Sequence, residues 1–345
     1  MSKDIMKHFI ISGVFRMKSK STAPTLKDVA QEAGVALGTV SKVFNGISVG
    51  ESYRLRVEDA ARKLGYQVNN YARGLKTNKT RTAALILPTL LDPFFSALAE
   101  YVCQSLARRG YRMLLTLTGS DPDAEQQCIR MVEQNKVDGI IGLTYNPALD
   151  VPEPIPFVSI DRYFSPSVPC VSSDNFGGGQ MAAEKLMELG CKKLLFFRIG
   201  SDVTGEADKR GMGFQAACRL RQTEHATLIL EDQEGYAPFR AFLREHMTDG
   251  RPDFDGIFCN TDRLACRVAD MLRGLGLRVP EDVQLIGFDG IRKFGVDALF
   301  CSTIVQPIPQ LAETSVNILL EEDRSSLPSL ICLPVSYAAG GTTRE

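Results

Sequence analysis

The sequence is poor in the patterns from which metal centres, disulfide frameworks and membrane spans are built. Its three histidines, His8, His225 and His246, are too dispersed for a metal cluster or a catalytic triad. Nine cysteines are scattered without a C-x-x-C pair, which excludes a zinc ribbon and favours reduced thiols in the cytosol. No run approaches the roughly 20 apolar residues of a membrane span, so no membrane contact is expected.

The start of the chain also lacks the features of a secretion signal. Residues 9–14, FIISGV, are shorter than a good signal-peptide core, and basic residues follow with no small-residue cleavage site. We therefore expect a cytoplasmic protein whose residues 1–24 form a flexible tail. A second methionine, Met17, offers an alternative translation start within that tail.

Charge is unevenly distributed along the chain. From residue 17 to residue 80, eleven Lys and Arg oppose five Asp and Glu, a balance of +6. From residue 81 onward, 26 basic residues oppose 35 acidic ones, a balance of −9. A basic arm on an acidic body favours contact with a polyanion, because neutralised phosphates release their counterions. A merely solvated charged face is the alternative.

Two short helical patterns joined by a tight turn occupy residues 25–46, TLKDVAQEAGVALGTVSKVFNG. Thr25 can cap the first helix, with Asp28 three residues later as in a capping box, and Gly34 ends it. The second helix ends at an Asn-Gly turn. A helix of this length must pack on its neighbour and leaves its other face free, which favours a DNA-binding helix-turn-helix. Any helical hairpin shows the same pattern, so both interpretations stay open at this point.

A third helix and a polar linker follow. The apolar residues of this helix have helical spacing before Gly65 ends it: Val57, Ala60, Ala61 and Leu64. Residues 68–80, VNNYARGLKTNKT, have room for one or two helical turns, and we expect them to become helical only against a partner. A plain flexible linker fits this segment equally well.

From residue 82 the sequence alternates short apolar runs with amphipathic helical patterns, which predicts parallel βαβ units. One series precedes residue 174, and a second series follows it and closes with a strand around PVSYA. At 345 residues the chain exceeds the usual size of one core. The predicted fold is therefore an all-α head plus an α/β body of two doubly wound, parallel-sheet lobes, with a small-ligand site in the cleft between them.

No motif in this body supports an enzyme. The DNFGGGQ segment at 174–180 is neither G-x-G-x-x-G nor G-x-x-x-x-G-K-[ST], so we interpret it as a turn that leads into a helix. Without a phosphate loop, a metal set or a catalytic pair, a sugar kinase or dehydrogenase is disfavoured, and neither a cofactor nor a metal is expected.

Residues at predicted strand ends carry the ligand-binding chemistry instead. DPFF at 92–95 sets aromatic faces beside a carboxylate, which suits a sugar or a planar ligand. Packing of Phe94 and Phe95 within a helix explains the same residues equally well. The guanidinium of Arg210 can donate paired hydrogen bonds to hydroxyls or to a carboxylate. Asp289, in GFDG, can accept hydrogen bonds from hydroxyls.

Seven segments stand in an order that resembles the LacI family of bacterial transcription regulators. They are the helix-turn-helix, RVEDAARKLGY from residue 56, NNYARGLKT from 69, DN-x-x-GG from 174, R-x-x-G-F from 210, TDRLA from 261 and VPEDVQLIGFDG from 279. The resemblance extends from about Thr25 to the C terminus, and the helix-turn-helix is its most specific part. It implies a homodimer that reads a palindromic operator and a core of periplasmic-binding-protein type. Ligand in the cleft of such a core shifts the lobe angle and so the position of the heads.

The resemblance also implies how the chain is divided. It gives a head at 25–68, a hinge helix and linker at 69–81, and a core at 82–345 with an N-lobe of about 82–173 plus 306–323 and a C-lobe of about 174–303 plus 328–341. The family's hinge aligns with residues 69–76. Its minor-groove leucine falls on Leu75, which would wedge between base steps.

The head departs from the family pattern at several positions. Ala36 replaces the usual serine, so the recognition helix loses an N-cap worth roughly 0.5–2 kcal/mol. Leu37 and Gly38 cannot form bidentate base contacts. Lys42 replaces an arginine, which keeps the positive charge but loses the paired N–H donors of a guanidinium. Val68 replaces a proline, which should loosen the hinge entry. The predicted DNA-contacting residues are Thr25, Leu37, Gly38, Thr39, Ser41, Lys42, Asn45, Asn69, Ala72 and Leu75.

We therefore expect a DNA-binding repressor, associated with the nucleoid when bound, that a sugar or sugar derivative controls. The predicted effector-binding residues are Asp92, Phe94, Phe95, Tyr145, Asp161, Arg210, Asp262 and Asp289. A nucleobase or nucleoside ligand stays open, and the alternative function is a cytosolic solute-binding or nucleoside-sensing protein with the same core. The basic head and the missing signal peptide disfavour a transport protein. No heptads follow the last strand, so we expect a dimer rather than a coiled-coil tetramer.

Overall fold

The computed structural model describes residues 24–44, 46–66, 79–134, 136–146, 148–151, 155–163, 165–293, 295–324 and 326–344. Its internal contacts divide the chain into two units, Met1–Lys76 and Thr77–Glu345. Four predicted DNA-contacting residues lie outside the described residues: Asn45, Asn69, Ala72 and Leu75. The predicted tail through residue 23 and the predicted hinge at 69–76 also lie outside them. No helix in the described parts of the chain is long and apolar enough to cross a membrane.

The described residues of the first unit form three helices. They are α1 Leu26–Ala33, α2 Leu37–Phe44 and α3 Glu51–Leu64. Thr25 caps α1 as predicted, because its hydroxyl accepts from the Asp28 N–H while the Asp28 carboxylate accepts from the Thr25 N–H at 2.7 Å. These bonds to Thr25 lower the pKa of Asp28. Gly34 and Gly65 end α1 and α3 in the left-handed conformation, with φ of 59° and 64°, which glycine adopts without a Cβ clash.

One valine from each helix fills the centre of this head. Val29, Val40 and Val57 are fully buried, so each short helix is stabilised by its neighbours rather than by its own propensity. Arg56 of α3 donates from Nη2 to the carbonyls of Ala33 and Gly34, at 2.6 and 2.9 Å. The guanidinium thus satisfies carbonyl groups at the carboxyl end of α1 and holds the turn that leads into α2.

The second unit has two lobes, each built on a six-stranded sheet. The strands of the first sheet are β1 Thr82–Leu87, β2 Arg112–Leu117, β3 Gly139–Gly142, β4 Phe157–Ile160, β5 Cys170–Ser173 and β13 Leu330–Leu333. They are parallel and lie in the order β13-β5-β4-β3-β1-β2. β1, β3, β4 and β5 are buried almost throughout, as expected for parallel strands covered on both faces.

The second sheet repeats this plan with one reversed edge. Its strands are β6 Lys193–Gly200, β7 Glu224–Glu231, β10 Gly256–Cys259, β11 Gln284–Asp289, β12 Ser302–Val305 and β14 Ser336–Ala338. The order is β14-β12-β11-β10-β6-β7, with β14 antiparallel to β12 and the others parallel. A separate antiparallel pair joins β8 Met247–Thr248 to β9 Arg251–Pro252.

Seven α-helices in the described residues connect these strands. They are α4 Pro93–Arg108, α5 Pro122–Gln134, α6 Asn175–Glu188, α7 Lys209–Leu220, α8 Ala237–Glu245, α9 Asp262–Gly274 and α10 Ile308–Leu320. Their alternation with parallel strands confirms the predicted pair of doubly wound lobes. In the second lobe, Phe196, Phe214 and Phe258 form a buried cluster with ring centroids 5.4 to 5.8 Å apart. Each such side chain contributes roughly 1.5–3 kcal/mol by burial.

The chain crosses between the lobes after β5, after β12 and after β13. β13 pairs with β5 of the first sheet, with Leu333 opposite Ser173, whereas β14 pairs with the second sheet. The expectation that the whole of 328–341 belongs to the C-lobe was therefore wrong for β13. A four-residue edge strand carries no local pattern that specifies which sheet it joins, because only its distant partner decides.

Candidate ligand cleft and nucleic-acid interface

The outer surface of α2 is open at its amino end. Leu37 is 44% exposed, Lys42 is exposed, and no atom lies within 4 Å of the position that a Cβ on Gly38 would occupy. Thr39 and Ser41 are half-buried. Ala36, at the N-cap position, accepts from the Thr39 N–H through its carbonyl at 2.9 Å but has no side-chain oxygen to cap the helix. The amino end of α2 thus lacks a side-chain cap and lies at an exposed surface.

A cleft of about 190 Å³ lies where the carboxyl ends of strands from both lobes meet. Seven of the eight predicted effector-binding residues line it: Asp92, Phe94, Phe95, Tyr145, Asp161, Arg210 and Asp289. In parallel sheets this edge collects side chains from several loops, which explains why residues far apart in sequence converge here. The described residues hold no group of three or more His, Cys, Asp and Glu side chains arranged for a metal ion.

The start of α4 forms one wall on the first lobe. The Asp92 carboxylate caps α4 by accepting from the Phe94 N–H at 3.0 Å, and Pro93 follows at the first helical position. Phe94 and Phe95 pack edge to face with ring centroids 5.5 Å apart. Phe94 is 6% exposed and packs in the lobe core, so it serves the helix-packing role as well as lining the cleft.

A buried carboxylate shapes the neighbouring wall. Glu125 of α5 is 1% exposed and accepts from the Tyr145 and Asn146 N–H groups at 2.9 and 3.0 Å, as well as from the Thr144 hydroxyl. These bonds hold the loop after β3 and so place Tyr145 in the cleft. Burial raises the pKa of the Tyr145 hydroxyl, which therefore stays protonated and able to donate a hydrogen bond at neutral pH.

Arg210 on α7 is the most constrained cation of the cleft. It is 4% exposed, donates from Nε to Asn175 Oδ1 at 2.7 Å and from Nη1 to the Asn260 carbonyl at 2.6 Å. Its guanidinium stacks 3.7 Å from the Phe288 ring centroid and lies 3.7 Å from the Asp289 carboxylate. Burial raises the pKa of Asp289 well above its usual value although Arg210 opposes this effect. Burying the pair of Arg210 and Asp289 therefore costs free energy, and a hydrogen bond with a ligand hydroxyl can offset part of that cost.

A chain of buried hydrogen bonds runs between the lobes behind these groups. Asp161 Oδ1, in the first lobe, accepts from the Ser172 hydroxyl at 2.7 Å and from Asn175 Nδ2 at 3.2 Å. Gln306 accepts from the Ser173 hydroxyl at 2.7 Å and donates to Asp289 at 2.7 Å. Both bridges cross from the first lobe to the second.

Two cleft carboxylates stand on left-handed backbone. Asp161 has φ of 52° and Asp289 has φ of 130°, and both follow the last residues of a strand or end it. L-residues rarely adopt these angles, and such strain concentrates at functional sites. Both residues line the cleft.

Asp262 lies outside the cleft, which corrects its expected place in the ligand site. It is 2% exposed, and its carboxylate accepts from the Ile291 N–H at 2.7 Å and from the Thr303 hydroxyl at 2.6 Å. Burial raises the pKa of Asp262 to about 6. As the first residue of α9 it turns inward and ties the helix to the sheet, whereas its neighbour Arg263 reaches the cleft.

Several cleft residues were not predicted from the sequence. They include Arg162, Arg198, Asp208, Asp232, Asn260, Arg263 and Gln306. Arg263 forms an ion pair with Asp92 at 3.7 Å, and this pair joins the two lobes across the cleft. Asn260 directly follows β10 and Arg162 lies two residues after β4, so a systematic search of polar residues at the carboxyl ends of the strands could have found them.

Comparisons with known proteins agree with the predicted resemblance. Residues 25–69 match the family model of bacterial regulatory proteins, lacI family. Residues 80–317 match the model of periplasmic binding proteins and the sugar binding domain of the LacI family. A sucrose operon repressor of Streptococcus mutans is 31% identical over 319 residues, covering 91% of this chain and 98% of the relative. A ribose operon repressor of Halalkalibacterium halodurans is 31% identical over 305 residues, covering 86% of this chain and 90% of the relative.

Solved structures give the same result for the fold. The Lac repressor dimer bound to operator and the anti-inducer ONPF superposes with a TM-score of 0.78 at 21% identity, over 94% of this chain and all of that chain. A periplasmic binding protein/LacI regulator from Alkaliphilus metalliredigens in complex with D-xylulofuranose has a TM-score of 0.64 at 28% identity. That match covers 77% of this chain and all of the other.

Proposed function

Because the chain belongs to the lacI family of bacterial regulatory proteins, we propose that it is a repressor that binds a palindromic operator as a homodimer under control of a sugar-like effector. Membership of this family agrees with the expectation of a regulator rather than an enzyme. The observation that carries the proposal is the presence, in one chain, of an open recognition helix and a ligand-sized polar cleft. We place the protein in the cytoplasm, on the nucleoid when it is bound to DNA.

The head contacts DNA through α2 in the major groove. Thr39 and Ser41 bind phosphates, the open N–H groups at the start of α2 add further phosphate contacts, and Lys42 reads a base. Leu37 and Gly38 offer little polar readout. Operator choice therefore falls partly on Leu75 and on DNA deformability. Thr25 adds a contact at the start of α1, and three further residues stay predictions outside the described part of the chain: Asn45, Asn69 and Ala72.

The cleft binds a sugar or a sugar derivative. Its wall combines carboxylate acceptors, a constrained guanidinium and aromatic faces, which together match the hydroxyls and the apolar face of a saccharide ring. The printed names of the relatives, which repress sucrose and ribose operons, support the same ligand class. The D-xylulofuranose bound to one structural relative supports it as well.

Effector binding acts on the operator through the lobe angle. The buried bridges through Asn175 and Gln306 and the ion pair from Asp92 to Arg263 all join the two lobes, so a ligand that changes these contacts changes their relative stability. A ligand shifts such an equilibrium by its difference in affinity for the two lobe angles. In a symmetric dimer, the same change moves both heads relative to the two half-sites of a palindrome.

Selection of genomic fragments on the full-length protein tests this function. Retained fragments should share a palindrome, bind in gel shifts at physiological salt, and lose affinity steeply as salt is raised. Retention of no sequence above random DNA would contradict the proposal. Turnover of a sugar by the purified protein would point instead to an enzyme.

A further inference from the structure

Two cysteine thiols of the second lobe lie against each other beside the cleft. Cys266 is half-buried on α9, and Cys301, directly before β12, is 1% exposed. The Cys301 thiol has one proton, which it can donate to Cys266 or to Asp262 Oδ1, 3.4 Å from its Sγ. Asp262 and Cys266 are one helical turn apart, so α9 presents both side chains to the same thiol.

A cavity gives small molecules access to this pair. It has a volume of about 250 Å³, and Cys266 forms part of its wall together with the apolar side chains of Pro93, Ile291 and Phe300. Asp92 lines both this cavity and the ligand cleft, so the two are adjacent. Hydrogen peroxide is only slightly larger than water, which needs roughly 30 Å³. A small oxidant can therefore reach Cys266, whereas Cys301 lies behind it.

The surroundings give the two thiols different reactivity. The hydrogen bond from Cys301 lowers the pKa of the Cys266 thiol, and the positive charge of Lys293 acts in the same direction. Burial and the charges of Asp262 and Asp270 oppose this shift without reversing it. The contact with Cys266 and burial both raise the pKa of Cys301 well above its usual value. Because the thiolate is the nucleophile, Cys266 is the thiol that reacts first.

We propose that Cys266 and Cys301 form a reversible disulfide when Cys266 reacts with hydrogen peroxide. The Cys266 thiolate attacks one peroxide oxygen and the O–O bond breaks. The other oxygen leaves as hydroxide and becomes water with the proton that the thiol released on ionisation. Cys301 Sγ then attacks the resulting sulfenic sulfur, the S–O bond breaks, and hydroxide leaves. That hydroxide becomes a second water with the Cys301 proton, which Asp262 can carry. Two thiols are thus oxidised and one peroxide is reduced to two waters.

The bond would connect two elements that carry cleft residues. Arg263, which lines the cleft, is three residues before Cys266 on α9. Cys301 leads into β12, which pairs with β11, the strand that ends at Asp289. The reaction requires neither operator nor effector, so it goes beyond the proposed function. It also agrees with thiols that are normally reduced, because disulfides in a reducing compartment are usually transient and redox-sensing.

Peroxide treatment of the reduced full-length protein, followed by mass spectrometry, tests this site. The intact protein should lose the mass of two hydrogen atoms and regain it with dithiothreitol. Trypsin cleaves after Lys and Arg, so it places the two thiols on separate peptides, residues 264–267 and residues 294–324. A digest without reductant should contain these two peptides joined, as the predominant cysteine pair.

Three variants assign the steps. Cys301→Ser keeps a hydroxyl beside Asp262 but removes the second thiol, so Cys266 should stop at the sulfenic acid and be labelled by dimedone. Cys266→Ser should leave Cys301 reduced under the same treatment. Cys103→Ser removes an exposed thiol of α4, is the matched control, and should form the disulfide like the unchanged protein. Circular dichroism checks that each variant is folded.

The proposal is overturned if the two peptides are not joined after treatment, whether the protein stays reduced or is oxidised at other cysteines. It is also overturned if Cys266 in Cys301→Ser takes no dimedone label, or if Cys301 is oxidised in Cys266→Ser. The same treatment of protein unfolded in urea should give no preference for this pair. An equal preference there would show that the fold does not create the site.

Discussion

The buried carboxylate of Asp262 should make the core less stable as pH rises from about 4 to about 6. Burial raises its pKa from 3.8 to about 6 in the folded protein. Across this window the folded protein therefore holds a proton that the unfolded chain has released, and the free energy of unfolding falls with rising pH. The difference in pKa corresponds to ~3 kcal/mol. The charge on Asp262 also raises the pKa of Asp289, so removing it weakens both contributions.

The Asp262→Asn variant tests this assignment. Urea unfolding, followed by circular dichroism across the window, should show that the variant loses clearly less stability than the unchanged protein between about pH 4 and about pH 6. Asp270→Asn, on the exposed surface of the same helix, is the matched control and should keep the original pH dependence. If Asp262→Asn and the unchanged protein have the same slope, the buried carboxylate is not the source of the effect.

Three further substitutions probe the cleft and the head. Arg210→Lys keeps the charge but loses the fork and its buried hydrogen bonds, so effector affinity should fall about tenfold or more in calorimetry. Arg219→Lys, exposed on the same helix, should leave it unchanged. Ala36→Ser supplies the missing N-cap and should raise the free energy of unfolding of the head by about 0.5–2 kcal/mol in scanning calorimetry. An unshifted head transition would contradict this. Leu75→Ala should weaken operator binding in gel shifts, and unchanged affinity would show that Leu75 does not read the operator.

The elements that the sequence predicts well are those with their own local signals. The bounds of α1 follow from a capping Thr25 and a terminal Gly34, and both act as predicted. β5 and β13 were harder to predict, because each has four residues and their pairing is with each other across 156 positions or more of intervening chain. Such strands are specified by their partners rather than by their own pattern.

The residues that line the cleft were predicted only in part, because a residue's place at a strand end can be inferred from the sequence whereas the direction of its side chain cannot. Asp161 and Asp289 stand at strand ends, and the rule that ligands bind at the carboxyl edge of a parallel sheet places them correctly. That rule does not give side-chain direction, and so it placed Asp262 in the cleft where Arg263 belongs. It also omitted Arg162, whose position depends on a ring, a carbonyl and a glycine from distant loops.

In the proposed function, the cleft and the operator-binding head are coupled. The most direct test of this coupling measures the affinity for the selected operator with and without saturating effector, and the affinity for the effector with and without operator. We expect both affinities to change by the same factor, at least about fivefold, because coupling between two binding sites is reciprocal. If each ligand binds with the same affinity whether or not the other is present, the cleft does not control the head.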